Sequence, residues 1–219
     1  MSEFINIHSH QTEPSASSII NCFPAEIEQF VQQHPAQMCS VGLHPWHINE
    51  RYEQELETVA RFASSPQVVA IGEAGLDKLT GTPFPLQQAV FLQQAAIAEK
   101  VQKPLIIHCV KAYPELIRLK KELNPRNTWI IHGFRGKAAI AQELILHDFC
   151  LSFGKGLDYL EKTICSVPLE KIFLETDDSL TNIEQVYETF SKTRPVSIEI
   201  LKNQINKNFD QIFQNRIRC

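Results

Sequence analysis

A chain of 219 residues with 43% hydrophobic side chains can bury a sizeable core, and no stretch of it reads as a linker, so one domain over 1–219 is expected. A net charge of −4 argues against a surface that coats nucleic acid non-specifically, while leaving room for a local basic patch. The six cysteines form no Cys-x-x-Cys pair and mostly sit in apolar runs, no stretch of about 18 apolar residues occurs, and no basic-then-apolar leader opens the chain, so a cytoplasmic protein with free thiols is expected.

In chain order, apolar β-branched runs predict strands at Phe4–His8, Ser18–Phe23, Met38–Leu43, Val68–Glu73, Pro104–Cys109, Thr128–Gly133, Phe149–Gly154 and Lys171–Thr176. Helical periodicity falls between them at Ala25–His34, Arg51–Ala63, Leu86–Gln102, Glu115–Leu123, Lys137–His147 and Leu157–Ile164. Ile183–Lys192 and Ser197–Phe213 read as two closing helices separated by Pro195. Eight strands alternating with helices predict an α/β fold, a TIM-type (β/α)8 barrel. Only Gln11–Ser17 separates the first two strands, too few residues for a crossover helix, so the barrel is expected to be distorted there.

His8, His10, Glu73, His108, His132 and Asp177 each stand at or just past the end of one of these runs. Barrels of this kind gather their chemistry at the carboxyl ends of the strands, and these six come from five different strands. His8 and His10 share a strand face, with roughly 7 Å between their Cα atoms, and can share one cation. Imidazoles together with carboxylates suit Zn, Mn or Fe, and the carboxylates alone suit Mg, so one or two divalent ions are expected. Glu73, at the tip of an apolar strand, needs a cation or hydrogen-bond partners to offset its desolvation, and it can bridge two ions. Asp177 can hold a metal or orient the attacking water, and these two carboxylates are the catalytic candidates. Glu175 shares the parity of Asp177 and is expected one layer deeper.

Several segments in order carry a resemblance: Asn6-Ile7-His8-Ser9-His10, Gly42-Leu43-His44-Pro45, the run from Ala70 to Asp77, Gln87 to Gln94, Pro104 to His108, Ile131 to Gly136, Glu175-Thr176-Asp177, and Asn208 before Phe213. Over nearly its whole length the chain resembles the TatD-type metal-dependent deoxyribonucleases of the amidohydrolase-like barrel superfamily. The resemblance implies a two-metal phosphodiesterase acting on DNA, with His8, His10 and Asp177 on one ion, His108 and His132 on the other, and Glu73 between them. The chain departs from the family pattern in three places. Asn6 replaces the usual Asp, which implies a weaker or altered metal site; Lys78-Leu79 replaces an aromatic; and Asp178-Ser179 replaces a Pro ahead of a shortened loop.

Lys78, Lys111, Arg135, Lys137 and Lys155 fall on strand-end loops, where they can meet phosphoryl oxygens. Arg135 stands three residues after His132, and its forked guanidinium matches phosphate. His44 ends strand three and can touch substrate at the same mouth, and Trp46 can stack on a base or pack the rim. His44, Arg135, Lys78 and Lys155 are therefore the expected substrate contacts, and the expected substrate is single-stranded DNA, its ends, or a small phosphoester. Nothing resembles a groove-reading helix. Two other readings remain open: a small-molecule hydrolase of amides, lactones or phosphoesters, and a metal-stabilised binding protein without activity.

Overall fold

Strands of a parallel barrel are covered on both faces, which is why they read as continuous apolar runs. The computed structural model describes residues 3–11 and 17–214. Its strands are β1 (Asn6–Ser9), β2 (Ser18–Cys22), β3 (Cys39–Val41), β4 (Val68–Asp77), β5 (Leu105–Val110), β6 (Trp129–Ile131), β7 (Phe149–Phe153) and β8 (Ile172–Leu174). All pair in parallel, each with the next in sequence. A bridge between Ser9 and Asp177 brings β1 back to β8, with His10 N–H donating to Asp177 C=O at 3.0 Å and Asp177 N–H to His8 C=O at 3.0 Å. The result is the α/β barrel of TIM type. The short first crossover falls on residues 12–16, outside the described residues.

Around the barrel lie α1 (Ile27–Gln33), α2 (Tyr52–Phe62), α3 (Phe84–Val101), α4 (Tyr113–Leu123), α5 (Ala138–Leu146), α6 (Glu161–Ser166), α7 (Ile183–Thr193) and α8 (Ile198–Phe209). Two of these helices position the site through buried amides. On α3, Gln94 accepts from Leu43 N–H at 2.7 Å and donates back to its carbonyl at 3.0 Å, fixing the backbone just ahead of His44. Gln87 does the same for Asp77, at 2.8 and 2.9 Å. On α8, Asn208 donates to the carbonyls of Leu169 and Ile172 and so holds the start of β8. Loops cannot supply these hydrogen bonds to themselves, and a buried amide that spans both backbone groups closes the account.

Three elements differ from the sequence expectation. β4 runs on to Asp77 rather than ending at Glu73, so Glu73 lies inside the strand. The cause is a register shift between Ile71 and Ala74, where Gly72 takes φ +143°, after which pairing resumes from Ala74 opposite Ile107 to Asp77 opposite Val110. A side chain at Gly72 would place its Cβ 2.4 Å from the Ile106 carbonyl oxygen, so only glycine allows the shift. The expected helix Leu157–Ile164 is broken into a 3-10 turn at Leu157–Tyr159 followed by α6, which lets both Leu157 and Ile164 bury while Tyr159 stays in solvent. The last helix widens into a π-helical turn over Asp210–Gln214, and this stacks Phe213 on Phe209 at 4.7 Å and sets it edge-on to Phe173 at 5.9 Å.

Candidate metal centre

At the carboxyl mouth of the barrel, a cleft of about 760 Å³ is lined by residues following all eight strands or lying on them. Glu73 stands at its centre, almost fully buried. Its Oε1 lies 2.7 Å from His132 Nε2, 3.0 Å from His44 Nε2 and 3.0 Å from His108 Nδ1. Its Oε2 lies 3.4 Å from His8 Nε2 and 3.7 Å from His10 Nε2. Burial alone would raise the Glu73 carboxyl, but the surrounding imidazoles, His132 foremost, outweigh it and hold the group well below the usual carboxylate range. Glu73 is therefore an anion. Asn21 fixes it from below, its side-chain oxygen accepting Glu73 N–H at 2.8 Å.

Asp177 projects from the bridge that closes the barrel, with Oδ1 3.7 Å from His8 Nε2 and 3.6 Å from His10 Nε2. Its backbone sits in the left-handed region at φ +56°, as does Lys111 at φ +54°. Both are rim residues without glycine's freedom, and such conformations persist where the surroundings over-determine them. His132 meets two carboxylates: Nε2 faces Glu73, and Nδ1 lies 3.3 Å from Glu175 Oε1, which also accepts Gly133 N–H at 2.7 Å. Desolvation would lower the His132 imidazole, yet the charges of Glu73 and Glu175 raise it well above its ordinary value. His44 goes the other way, because burial lowers it and Glu73 only partly compensates.

Do these residues fit a cation? His8 is fully buried, and among the described residues neither of its ring nitrogens has a hydrogen-bond partner, although two carboxylates stand within 3.7 Å of Nε2. A buried unpaired nitrogen aimed between carboxylates is costly alone and well placed for a metal. Among the described residues, three groups have ligand atoms within 4.8 Å of one another: His8, His10 and Glu73; His44, Glu73 and His108; His8, His132 and Asp177. The donor set thus fits one or two divalent ions. His8 and His10 meet at Asp177 Oδ1, His44 stands with His108 beside Glu73, and His132 lies nearer His8, at 4.3 Å between ring centroids, than His108, at 5.7 Å.

Of the expected substrate contacts, His44, Arg135 and Lys155 line the cleft. Lys155 lies 3.7 Å from Asp177 Oδ2 and is also paired with Asp178. Lys78 is not brought there: its amine bonds Glu115 at 2.5 Å and lies over the Phe84 ring. Asn6 sits beneath the site, donating to Thr176 Oγ1 at 2.9 Å and accepting Thr176 N–H at 3.2 Å, so it ties β1 to β8. Cys109, which follows His108, also lines the cleft, and burial pushes its thiol up to about 12.

Asp77 is the site residue that the shortened β4 concealed. Its Oδ2 lies 3.3 Å from His108 Nε2 and accepts the Trp46 indole N–H at 2.6 Å. Burial would raise this carboxyl, while Trp46, the Leu79 N–H and His108 together bring it below its ordinary value. The alternation that turns Glu73 inward also turns Asp77 inward once the strand is continued.

The E. coli YJJV structure, a TatD homologue, superposes with a TM-score of 0.86 at 21% identity, covering 96% of this chain and 97% of that one. An uncharacterized metal-dependent hydrolase of Bacillus subtilis, YabD, is 30% identical over 156 residues, 68% of this chain and 61% of that protein. A 3′-5′ ssDNA/RNA exonuclease TatD of Erwinia tasmaniensis is 32% identical over 156 residues, 67% of this chain and 60% of its own length. The matched region thus spans about three fifths of these two relatives. The profile of TatD related DNases matches residues 21–214, and the chain belongs to that family.

Proposed function

We propose that this barrel, working as one domain over 1–219, hydrolyses phosphodiester bonds at the ends of single-stranded nucleic acid with one or two divalent ions, Mg, Mn or Zn. The observation that carries the reading is Glu73, a buried anion with five imidazole nitrogens within 3.7 Å, facing a cleft with cations on its rim. His8, His10, His108, His132, Glu73 and Asp177 hold the metal, with His44 beside them. When bound, the metal supplies Lewis acidity, making water a nucleophile at neutral pH and stabilising charge on phosphoryl oxygens. Asp177, with 22% of its side chain exposed, faces the cleft where it can orient that water and accept its proton. Glu175 holds the His132 ring in place, and Asp77 does the same for His108. Arg135 offers a fork to non-bridging oxygens, and Lys155 can trade Asp178 for phosphate. Relatives that include the Erwinia exonuclease and a human 3′-5′ RNA nuclease support a nucleic-acid substrate.

Strand four bears Glu73 where binuclear amidohydrolases often carry a carboxylated lysine, which favours the phosphodiesterase over an amide or lactone hydrolase. A cytoplasmic location goes with this reading: among the described residues no helix is long and apolar enough to cross a membrane, and four of the five cysteines there are buried free thiols. The test is turnover of end-labelled single strands, bis(4-nitrophenyl) phosphate, amides and lactones by metal-loaded protein, with Glu73→Gln and Asp177→Asn. Hydrolysis of the strands, lost with chelator and in both variants, is expected. Turnover of amides or lactones alone would overturn the assignment, and inertness of all three proteins would return the reading of a metal-stabilised binding protein without activity.

A further inference from the structure

The two sides of the mouth differ in chemistry. Because the strands follow one another around the ring, β3 lies across the barrel from β7. Phe23, Trp46 and His47 line the cleft beyond β2 and β3, whereas Lys111, Arg135 and Lys155 line it beyond β5, β6 and β7. The metal-ligand side chains stand between these two rims. Among the described residues neither Lys111 nor Arg135 is ion-paired, and both are exposed.

Trp46 is unusual among the aromatic residues of this rim. It is 58% exposed, yet it is held in place: its indole N–H donates to Asp77, its backbone N–H to His44 Nδ1 at 3.1 Å, and its ring meets His44 and His108 edge-on at 4.9 and 5.5 Å. The one polar atom of the ring is satisfied inside the protein, so the part left to solvent is apolar. An exposed, immobilised ring beside a hydrolytic centre is a preformed surface for a flat partner, since little ordering entropy is left to lose on binding.

Resting on the phosphodiesterase reading, we propose that Trp46 is the platform on which the terminal base of the substrate stacks, with Lys111 and Arg135, which line the cleft beyond β5 and β6, holding its phosphate. Stacking is tolerant of base identity, because every base has a π face, and it requires a base free of a paired neighbour. The arrangement therefore selects an unpaired end and ignores its sequence. A cleft of about 760 Å³ has the volume to take one nucleotide.

The test compares thymidine 5′-monophosphate with 2-deoxyribose 5-phosphate, which lacks the base, by calorimetric titration of the full chain with Mg²⁺. Wild type should bind the nucleotide about tenfold more tightly or better, within the range of a base–aromatic stack. Trp46→Ala should bring the ratio close to one without changing affinity for the sugar phosphate, and Trp46→Phe, which keeps a ring but loses the bond to Asp77, should retain most of it. Arg135→Ala should weaken both ligands by the same factor. Trp129 is fully buried, so quenching of tryptophan emission by the nucleotide reports contact at Trp46. A ratio near one in wild type, an unchanged ratio in Trp46→Ala, or equal damage to both ligands in the Ala and Phe variants would overturn the platform; the last would make Trp46 a positioning residue acting through Asp77. Hydrolysis of single strands together with a ratio near one would defeat the platform and leave the phosphodiesterase. A base-dependent ratio without hydrolysis of any phosphodiester would do the reverse.

Discussion

Replacing Glu175 with Gln isolates how one imidazole is set for metal binding. Glu175 Oε1 faces both His132 Nδ1 and Gly133 N–H, at 3.3 and 2.7 Å, while His132 Nε2 points to Glu73 at 2.7 Å. A proton kept on Nδ1 by the Glu175 charge leaves the Nε2 lone pair for a cation. Gln is nearly isosteric and its oxygen can still accept from Gly133, so the backbone turn is preserved. What is lost is the charge opposite Nδ1, and with it the preference for that tautomer. Loss of such an outer partner typically weakens metal affinity 10- to 100-fold, about 1.4–2.7 kcal/mol. The cation-free fold should change by less than about 1 kcal/mol, because a buried carboxylate with its own desolvation penalty has been removed. Calorimetric titration of chelator-stripped protein with Mn²⁺, alongside urea unfolding, measures both quantities. Unaltered Mn²⁺ affinity in Glu175→Gln would refute the reasoning, as would a loss of affinity fully accounted for by unfolding.

Three further changes probe the frame around the site. Gly75→Ala would bring a Cβ to 2.0 Å from the His108 carbonyl oxygen, prising β4 from β5, so the urea midpoint should fall by the equivalent of at least ~2 kcal/mol, and an unshifted midpoint would contradict the close approach. Burial lowers Lys120 from 10.5 to about 8, so the folded chain releases a proton that the unfolded chain keeps and stability rises with pH between those values. Lys120→Met should thus stabilise at pH 7 by on the order of 1–3 kcal/mol, a gain that shrinks toward pH 10.5, whereas a pH-independent difference between the two proteins would be the contrary result. Asn6→Asp removes the donor to Thr176 Oγ1 and adds charge under His8, so unfolding should become easier by ~1 kcal/mol while Mn²⁺ binds several-fold tighter, and a parallel loss of both would count against its place beneath the cations.

The barrel was legible in the sequence because each strand is covered on both faces and so reads as a plain apolar run, from Val68-Val69-Ala70-Ile71 to Ile172-Phe173-Leu174. The strand-end placing of the histidines was legible for the same reason, since a polar residue ends such a run visibly. The continuation of β4 was hidden by that same rule. Glu73 looks like an end, and only the Gly72 backbone and the close fit of Gly75 against His108 show that pairing resumes. The roles of Gln87, Gln94 and Asn21 were beyond local reading too, because each bonds a segment distant in the chain. The same holds for Lys78, whose direction is decided by Glu115 on α4.

The departures from the family pattern gain meaning from their positions. Asn6 fills a place between β1 and β8 where one side chain must donate to Thr176 Oγ1 and accept from Thr176 N–H, a task an amide performs in full and a carboxylate only in part. Asn in place of Asp alters what lies beneath His8 and leaves the six candidate ligands as they are. Asp178, beside Asp177, engages Lys155 and thereby sets how much positive charge the β7 rim presents to the cleft. Lys78 and Leu79 stand where the family has an aromatic, while Trp46 supplies an exposed ring across Asp77 from them. The changes thus fall beneath the candidate metal centre and on the rim around it, the levels at which affinity for a metal and choice of substrate would be adjusted without rebuilding the centre.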